Sequence, residues 1–472
     1  MTRSVEIPIW LLVLILAFAT VTFASHFLFP SVRWFFRKRM ERAVARLNQR
    51  LTRPIEPFKL ARRHDMVQRL IYDPKVAAAI VEHAAETGVP QQVAFEEARR
   101  YAREIVPRFS ATAYFGFAIR FAKLLSRAFY RVRVGAFDEA GLEAIDPDAT
   151  IVFVMNHRSN MDYVLVTWLA AERSHLSYAV GEWARVWPLR ALIRSMGAYF
   201  IRRKSRNQLY RRVLARYVQL ATAGGVTQAM FPEGGLSLNG EVGEARMGLL
   251  NYIVSGYEDG DGCEVVFVPV AMNYDRVLED RVLVAAGISG HRKFRLRAKY
   301  VISHISMHLW QRISGKFHRF GYASVSFGTP ISLSEFAATQ TGELTEPLAH
   351  EIMNRIRKVV PVLPVPVVAA IMLEKDQHTR EEIADRFATL VADMEAAGAH
   401  VHMPREDLDY AVEVGLRLLL LRKLIVETDG VFRTNAPDLP ILRFYANSIA
   451  HLSGAVCFTP ISGVDAAESV AT

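Results

Sequence analysis

The chain has 472 residues and 53.2 kDa, 51% of them hydrophobic and 22% charged, so disorder and low-complexity architectures are excluded and several structural units with a large core are expected. Two cysteines, Cys263 and Cys457, stand far apart in no C-x-x-C spacing, which leaves no zinc site, iron–sulfur cluster or disulfide framework to expect and fits a reducing compartment. Lys and Arg outnumber Asp and Glu by 58 to 48, for a net charge of +10 and a pI near 9.6, which favours nucleic acid, an anionic membrane face or phosphorylated substrates as partners.

Ile7 to Phe29 contains no Asp, Glu, Lys or Arg and is long enough to cross a hydrocarbon core of about 30 Å. A cleaved signal peptide is the competing reading, but the leader carries only Arg3 and no A-x-A site follows. Arg33, Arg37, Lys38, Arg39, Arg42 and Arg46 come directly after the run, so the positive-inside rule places the body of the chain in the cytoplasm, on a single-pass anchor in the inner membrane. Trp34, Phe35 and Phe36 sit where headgroups would be. Residues 1–32 are therefore read as anchor and flank.

From 33 to 148 the apolar spacing is helical, in VAAAIVEHAAETG, VAFEEARRYAREIV and TAYFGFAIRFAKLLSRAFYRV, which predicts a helical N-terminal domain. The row Tyr114, Phe115, Phe117, Phe121 and Phe129 is read as core; a bilayer-facing row is the alternative. Residues 149–345 change character. IVFVM (Ile151 to Met155), VTQAMF (Val226 to Phe231), VVFVPVAM (Val265 to Met272) and ASVSFG (Ala323 to Gly328) alternate with helical stretches, predicting an α/β sheet flanked by helices. From 346 to 472 the chain is mainly helical, with a capping box at Thr379-x-x-Glu382 and a small hairpin at Asp429-Gly430. That last region is shaped like a winged helix, but without a basic recognition face it is read as a packing module.

Four blocks carry chemistry. In N-H-R-S-N-M-D-Y, Asn156 to Tyr163, His157 follows an apolar strand and Asp162 falls in the first turn of the next helix. The carboxylate can fix the imidazole tautomer, so the pair reads as a general-base dyad; a structural histidine is the competing reading. In G-A-Y-F-I-R-R-K, Arg202 and Arg203 offer planar forks for phosphate oxygens, against a solvated helix start. In F-P-E-G-G-L-S-L-N-G, Gly234 and Gly235 permit close backbone approach to a ligand and Glu233 can accept from substrate hydroxyls; a bare turn competes. The segment lacks the last glycine of G-x-S-x-G, and no Walker A loop or G-x-G-x-x-G is present. In V-P-V-A-M-N-Y-D, Pro269 within an apolar strand implies an edge, a bulge or a strand end.

These blocks, in this order, resemble the glycerolipid acyltransferase superfamily, and within it the bacterial-type glycerol-3-phosphate acyltransferases. The resemblance is strong from Asn156 to Ser332, including V-S-F-G-T-P-I-S, and weaker at EARRYAREI and LRFYANSIAHL. It implies His157 as base and Asp162 as its partner, Arg202 and Arg203 on acceptor phosphate, Glu233, Gly234, Gly235 and Ser237 lining the acceptor site, and Pro269 shaping an acyl pocket. Where the family usually has arginine after the glycine pair this chain has Leu236; Arg246 in EARMG, where the family tends to carry lysine, is the candidate to supply the missing cation together with Arg202, Arg203 and Lys204.

The implied reaction is transfer of a fatty acyl group from acyl-CoA or acyl-ACP to the sn-1 hydroxyl of glycerol 3-phosphate, with no cofactor beyond the thioester co-substrate. The runner-up is 1-acylglycerol-3-phosphate acyltransferase, for which E-G-T-R-S would be expected; a thioesterase stands third, and a membrane-tethered scaffold is the non-enzyme alternative. Between Arg281 and Ser334 nine basic residues and no acidic one interleave with aromatic and aliphatic residues. With Trp183 and Trp187 beside Arg185, Arg190 and Arg194, this predicts contact with membrane lipid and no nucleic-acid partner.

Overall fold

The computed structural model describes residues 63–107, 112–170, 177–180, 197–202, 207–258, 264–290 and 320–452, with Pro8, Phe109 and Ser205 besides. Helices α1 (Arg63–Ile71), α2 (Pro74–Thr87) and α3 (Gln91–Ile105) lead into a π-helical turn (Thr112–Ala118) that continues as α4 (Ile119–Phe129). Strand β1 (Arg131–Phe137), α5 (Glu139–Glu143), β2 (Thr150–Met155), α6 (Met161–Ala170), β3 (Ser177–Val180) and β4 (Tyr199–Phe200) follow. Then come α7 (Gln208–Ala223), β5 (Gln228–Met230), α8 (Gly248–Glu258), β6 (Val265–Tyr274), α9 (Asp280–Ser289), β7 (Tyr322–Phe327) and β8 (Ile331–Ser332). The chain goes on through α10 (Leu333–Ala338), α11 (Thr345–Lys358), α12 (Pro364–Ile371), β9 (Gln377–Thr379), α13 (Arg380–Ala396) and α14 (Leu408–Leu421), then the hairpin β10 (Ile425–Thr428) and β11 (Val431–Thr434), and α15 (Leu439–Ala446).

The main sheet runs β1-β7-β6-β2-β5-β3-β4, with β8 added to β6. Its pairs are parallel except β6 with β7 and β6 with β8. The central strands β2 and β6 are buried along their whole length, which is why they read as unbroken apolar runs. Alternation still sorts their side chains. Ile151, Phe153, Met155, Val268, Val270 and Met272 join the core built with α12–α15, while Val152, Val154, Val265 and Phe267 join the core built with α1–α3, α7, α8 and α11. Both helical layers thus share their cores with the sheet. Helix α12 is buried on every side, consistent with its all-apolar sequence.

Local signals hold at several ends. Asn207 caps α7 and accepts from the Tyr210 N–H, and the helix stops at Gly224-Gly225. Thr379 and Glu382 form the reciprocal capping box of α13. Asp429 and Gly430 both take positive φ, 51° and 75°, as a type I′ hairpin turn requires.

Three expectations are corrected. The helical reading that ran through Val132 stops at Tyr130, because R-V-R-V-G alternates with period two and pairs as β1 with β7. The aromatic row is not one core face: Tyr114 and Phe129 are buried, whereas Phe117 and Phe121 are exposed. Pro269 lies in an interior strand rather than at a sheet edge, but at the gap where the antiparallel partner of β6 changes from β8 to β7. Its carbonyl accepts from the Gly328 N–H, so its nitrogen faces the same gap and the missing N–H breaks no ladder bond. Among the described residues no helix is long and apolar enough to cross a membrane. The run Ile7 to Phe29 apart from Pro8, its cationic flank, the Trp183–Arg194 segment, Arg203, Lys204 and residues 291–319 of the basic stretch lie outside the described residues.

Candidate active site

The site forms where β2 ends. Asn156 pins that end to β6, donating from Nδ2 to the Met272 carbonyl at 3.0 Å and accepting the Met272 N–H at 2.8 Å. His157 follows, with Nδ1 2.9 Å from Asp162 Oδ2 and side chains only 2% and 0% exposed. Oδ2 also accepts the N–H groups of Arg158 (2.7 Å) and Ser159 (3.0 Å), and Oδ1 accepts the Tyr274 hydroxyl at 2.5 Å. A carboxylate that faces so many donors acts as acceptor only, so Nδ1 carries the proton and Nε2 the lone pair. Burial, reinforced by the Asp162 charge, pushes the Tyr274 phenol well up and keeps it a donor.

Two further carboxyl groups brace the turn. Glu279 Oε1 accepts the Asn160 N–H at 2.6 Å and Asn160 Nδ2 at 2.9 Å, and Oε2 accepts the Ser159 hydroxyl at 3.0 Å. Glu233 Oε1 accepts the His157 N–H at 2.9 Å and Oε2 the Gly243 N–H at 3.1 Å. Burial raises each to about 7, against the lowering effect of these donors. The reading of Glu233 as an acceptor for substrate hydroxyls is corrected: both its oxygens face backbone donors. Ser237 is likewise committed, donating to the Glu241 carbonyl at 2.8 Å and accepting the Gly240 N–H at 3.0 Å, while its own N–H donates to the His157 carbonyl.

Arg158 turns away from its neighbours in sequence and is fully buried. Its Nη1 donates to the Gly240 carbonyl, and its guanidinium lies 4.9 Å from the Phe444 ring centre. Burial lowers its pKa, while Tyr445, Asp162 and Glu233 oppose the shift.

Phe231 stacks on the His157 ring, with centroids 4.0 Å apart and planes 27° apart. The same phenylalanine lines a cavity of about 330 Å³, together with Gly234, Tyr252 and three arginines, Arg202, Arg211 and Arg246. The structure therefore brings blocks two and three around one hollow, and block one adjoins it only through the Phe231 ring that stacks on His157. Arg202 is held by Glu104, Nε at 2.9 Å and Nη2 at 2.5 Å, with its guanidinium over the adjoining rings of Tyr101 and Tyr210. This pairing raises its pKa. Gly234 has φ 68°, and a Cβ there would come within 2.7 Å of Arg246 Cδ, so glycine makes room for that side chain. Gly235 is half-buried in the same loop, and Pro269 is not among the lining residues.

Sequence reasoning missed Arg211, Tyr274 and Glu279. Arg211 sits in a basic run that reads as a solvated helix. Tyr274 stands inside the fourth block, whose proline drew the attention. Glu279 carries no local signal at all.

Residues 137–273 match the family model described as acyltransferase, and residues 309–455 match that of the glycerol-3-phosphate acyltransferase C-terminal region. Proteins named glycerol-3-phosphate acyltransferase from Pseudomonas syringae pv. syringae (strain B728a) and Pseudomonas entomophila (strain L48) are each 25% identical over 425 residues, covering 83% of this chain and 49% of theirs. The chain spans about half the length of the curated relatives it matches. The crystal structure of the 1-acyl-sn-glycerophosphate (LPA) acyltransferase PlsC from Thermotoga maritima is similar at 18% identity over 55% of this chain and 80% of that one, with a TM-score of 0.32, too loose a likeness to speak to function.

Proposed function

We propose that this chain, a member of the glycerol-3-phosphate acyltransferase family, transfers a fatty acyl group from a thioester to the sn-1 hydroxyl of glycerol 3-phosphate, the first step of phospholipid synthesis. One observation carries the reading: an imidazole oriented through Nδ1 by a buried carboxylate at 2.9 Å, one stacked ring away from a cavity lined by three arginines. In this mechanism Nε2 of His157 takes the proton of the acceptor hydroxyl as its oxygen attacks the thioester carbonyl. The tetrahedral intermediate collapses, the C–S bond breaks, and the imidazolium returns the proton to the departing thiolate. Asp162 stabilises the imidazolium in between. Arg246 and Arg211 serve the acceptor phosphate, with Arg202 held beside them on Glu104 and Arg203 as a further candidate; Gly234 and Gly235 let the loop approach the ligand.

The donor is acyl-CoA or acyl carrier protein, and the chain is held at the inner membrane by the span Ile7 to Phe29 with its body in the cytoplasm. The run without charges and the basic flank that follows it support that placement. Gly235, where the lysophosphatidate enzymes have the threonine of E-G-T-R-S, speaks against the 1-acylglycerol-3-phosphate alternative, whereas Leu236 departs from both patterns.

The test incubates purified protein with labelled acyl thioester and, separately, glycerol 3-phosphate, dihydroxyacetone phosphate and lysophosphatidate. Label in lysophosphatidate made from glycerol 3-phosphate, abolished in His157→Ala while membrane association persists, is the expected result. Label in phosphatidate made from lysophosphatidate, or an unaffected rate in the variant, would discard it.

A further inference from the structure

Helix α4 carries large apolar side chains on its solvent side. Phe117, at the end of the π-helical turn, and Phe121 and Leu124 are 53%, 46% and 65% exposed and recur at the i, i+4, i+7 spacing of one helix face. The two phenyl rings stack on each other, centroids 5.6 Å apart and planes 9° apart, instead of entering the core. The opposite face, Ala118, Ala122, Ser126 and Phe129, is buried, and α4 packs on α6. The stripe is therefore not a core face that has slipped.

Its surroundings say what would cover it. No acidic residue occurs from 105 to 137, and that stretch carries Arg108, Arg120, Lys123, Arg127, Arg131 and Arg133. Lys123 and Arg127 lie 5.8 and 5.3 Å from the Trp168 ring centre, and a cavity of about 390 Å³ at this end is lined by Arg127, Arg131, Arg133 and Trp168 among others. Apolar side chains beside an open hollow of guanidinium groups and an indole match acyl-chain and phosphate depth at a bilayer surface. We infer that the Phe117–Phe121–Leu124 stripe and its basic hollow are a docking face for an anionic phospholipid surface. The inference rests on the membrane-anchored reading of the chain and adds a second, body-borne contact to it.

The test uses the full chain with Cys263→Ser and Cys457→Ser, reconstituted in phosphatidylglycerol or phosphatidylcholine vesicles, with the fluorophore NBD on Leu124→Cys or, in a separate sample, on Trp34→Cys. With phosphatidylglycerol, the probe at 124 should shift to the blue and be quenched by nitroxide-labelled lipid. Arg127→Gln with Arg133→Gln should weaken the quenching at 124, each lost charge lowering the surface association roughly fivefold. A probe at 34 quenched by lipid while 124 stays in water overturns this inference alone. Both probes in water overturn the anchored reading as well. Shielding of 124 without lipid quenching, or only on adding an acidic carrier protein, assigns the face to a protein partner and equally overturns it. Acyl transfer in detergent is read separately, so the proposed chemistry stands or falls on its own assay.

Discussion

Replacing Glu279 by glutamine removes an ionisable group but keeps its shape. The amide oxygen can still accept the Asn160 N–H, and the Ser159 hydroxyl can turn to accept instead of donate. Burial raises this carboxyl from its ordinary 4.5 to about 7. The sign is set by proton binding: between those values the folded protein holds a proton that the unfolded chain releases, so the contribution is complete below pH 4.5 and is lost as pH rises through 7. At about 1.4 kcal/mol per pKa unit, the wild type should lose about 2.5 kcal/mol between pH 5 and pH 8 that Glu279→Gln does not lose. The assay is urea unfolding of both proteins, in one detergent at both pH values, with the variant's midpoint rising relative to wild type at the higher pH. A stability gap that stays the same at pH 5 and pH 8 would refute the reasoning, because it would mean that Glu279 is ionised in the folded protein throughout.

Tyr274→Phe keeps the ring packing against Tyr130 but deletes the 2.5 Å bond to Asp162 Oδ1. Stability should fall by about 1.5–3 kcal/mol and kcat more than KM should suffer; an unchanged kcat would mean the three donors on Oδ2 suffice to hold the carboxylate. Gly240 has φ 93°, and a Cβ there would lie 1.9 Å from the Phe444 carbonyl oxygen. Gly240→Ala should therefore cost well over the roughly 1 kcal/mol of Gly398→Ala, whose φ is also positive but whose Cβ meets nothing within 4 Å. Equal melting temperatures for the two variants would count against that contact. Gly234→Ala should displace the Arg246 side chain and raise KM for the phosphate-bearing acceptor with little change in kcat; steady-state kinetics with varied acceptor decide it.

What the sequence discloses depends on the range of each interaction. Strands β2 and β6 are legible because burial on both faces leaves Ile151 to Met155 and Val265 to Met272 apolar. His157 and Asp162 are legible because the strand-to-helix turn that joins them is local. Tyr274 and Glu279 reach the same turn from more than 100 residues away, and nothing near them in sequence says which carboxylate or hydroxyl they meet. Glu233 shows the converse: a glutamate before two glycines reads as a ligand group, yet the donors that claim it, the N–H groups of His157 and Gly243, belong to backbone whose position only the fold supplies. For α4, the helical spacing is visible, but which face meets solvent depends on where α6 packs.

Arg158 ties these pieces to the C-terminal region. Its guanidinium runs inward to the Gly240 carbonyl and across Phe444 of α15. Asn447, just after that helix, donates from Nδ2 to the Asn239 carbonyl at 2.9 Å. The third block is thus gripped on one side by the first and on the other by α15. Tyr445 of the same helix donates to Asp280 at 2.5 Å and accepts the Val277 N–H at 3.0 Å, fixing the segment that carries Glu279. Two separate sequence matches, 137–273 and 309–455, therefore meet in a single packed arrangement. The C-terminal helices hold the loop behind His157 as well as covering the sheet, which is why a glycine with no apparent chemistry, Gly240, is a point where the acyltransferase half and the C-terminal half depend on one another.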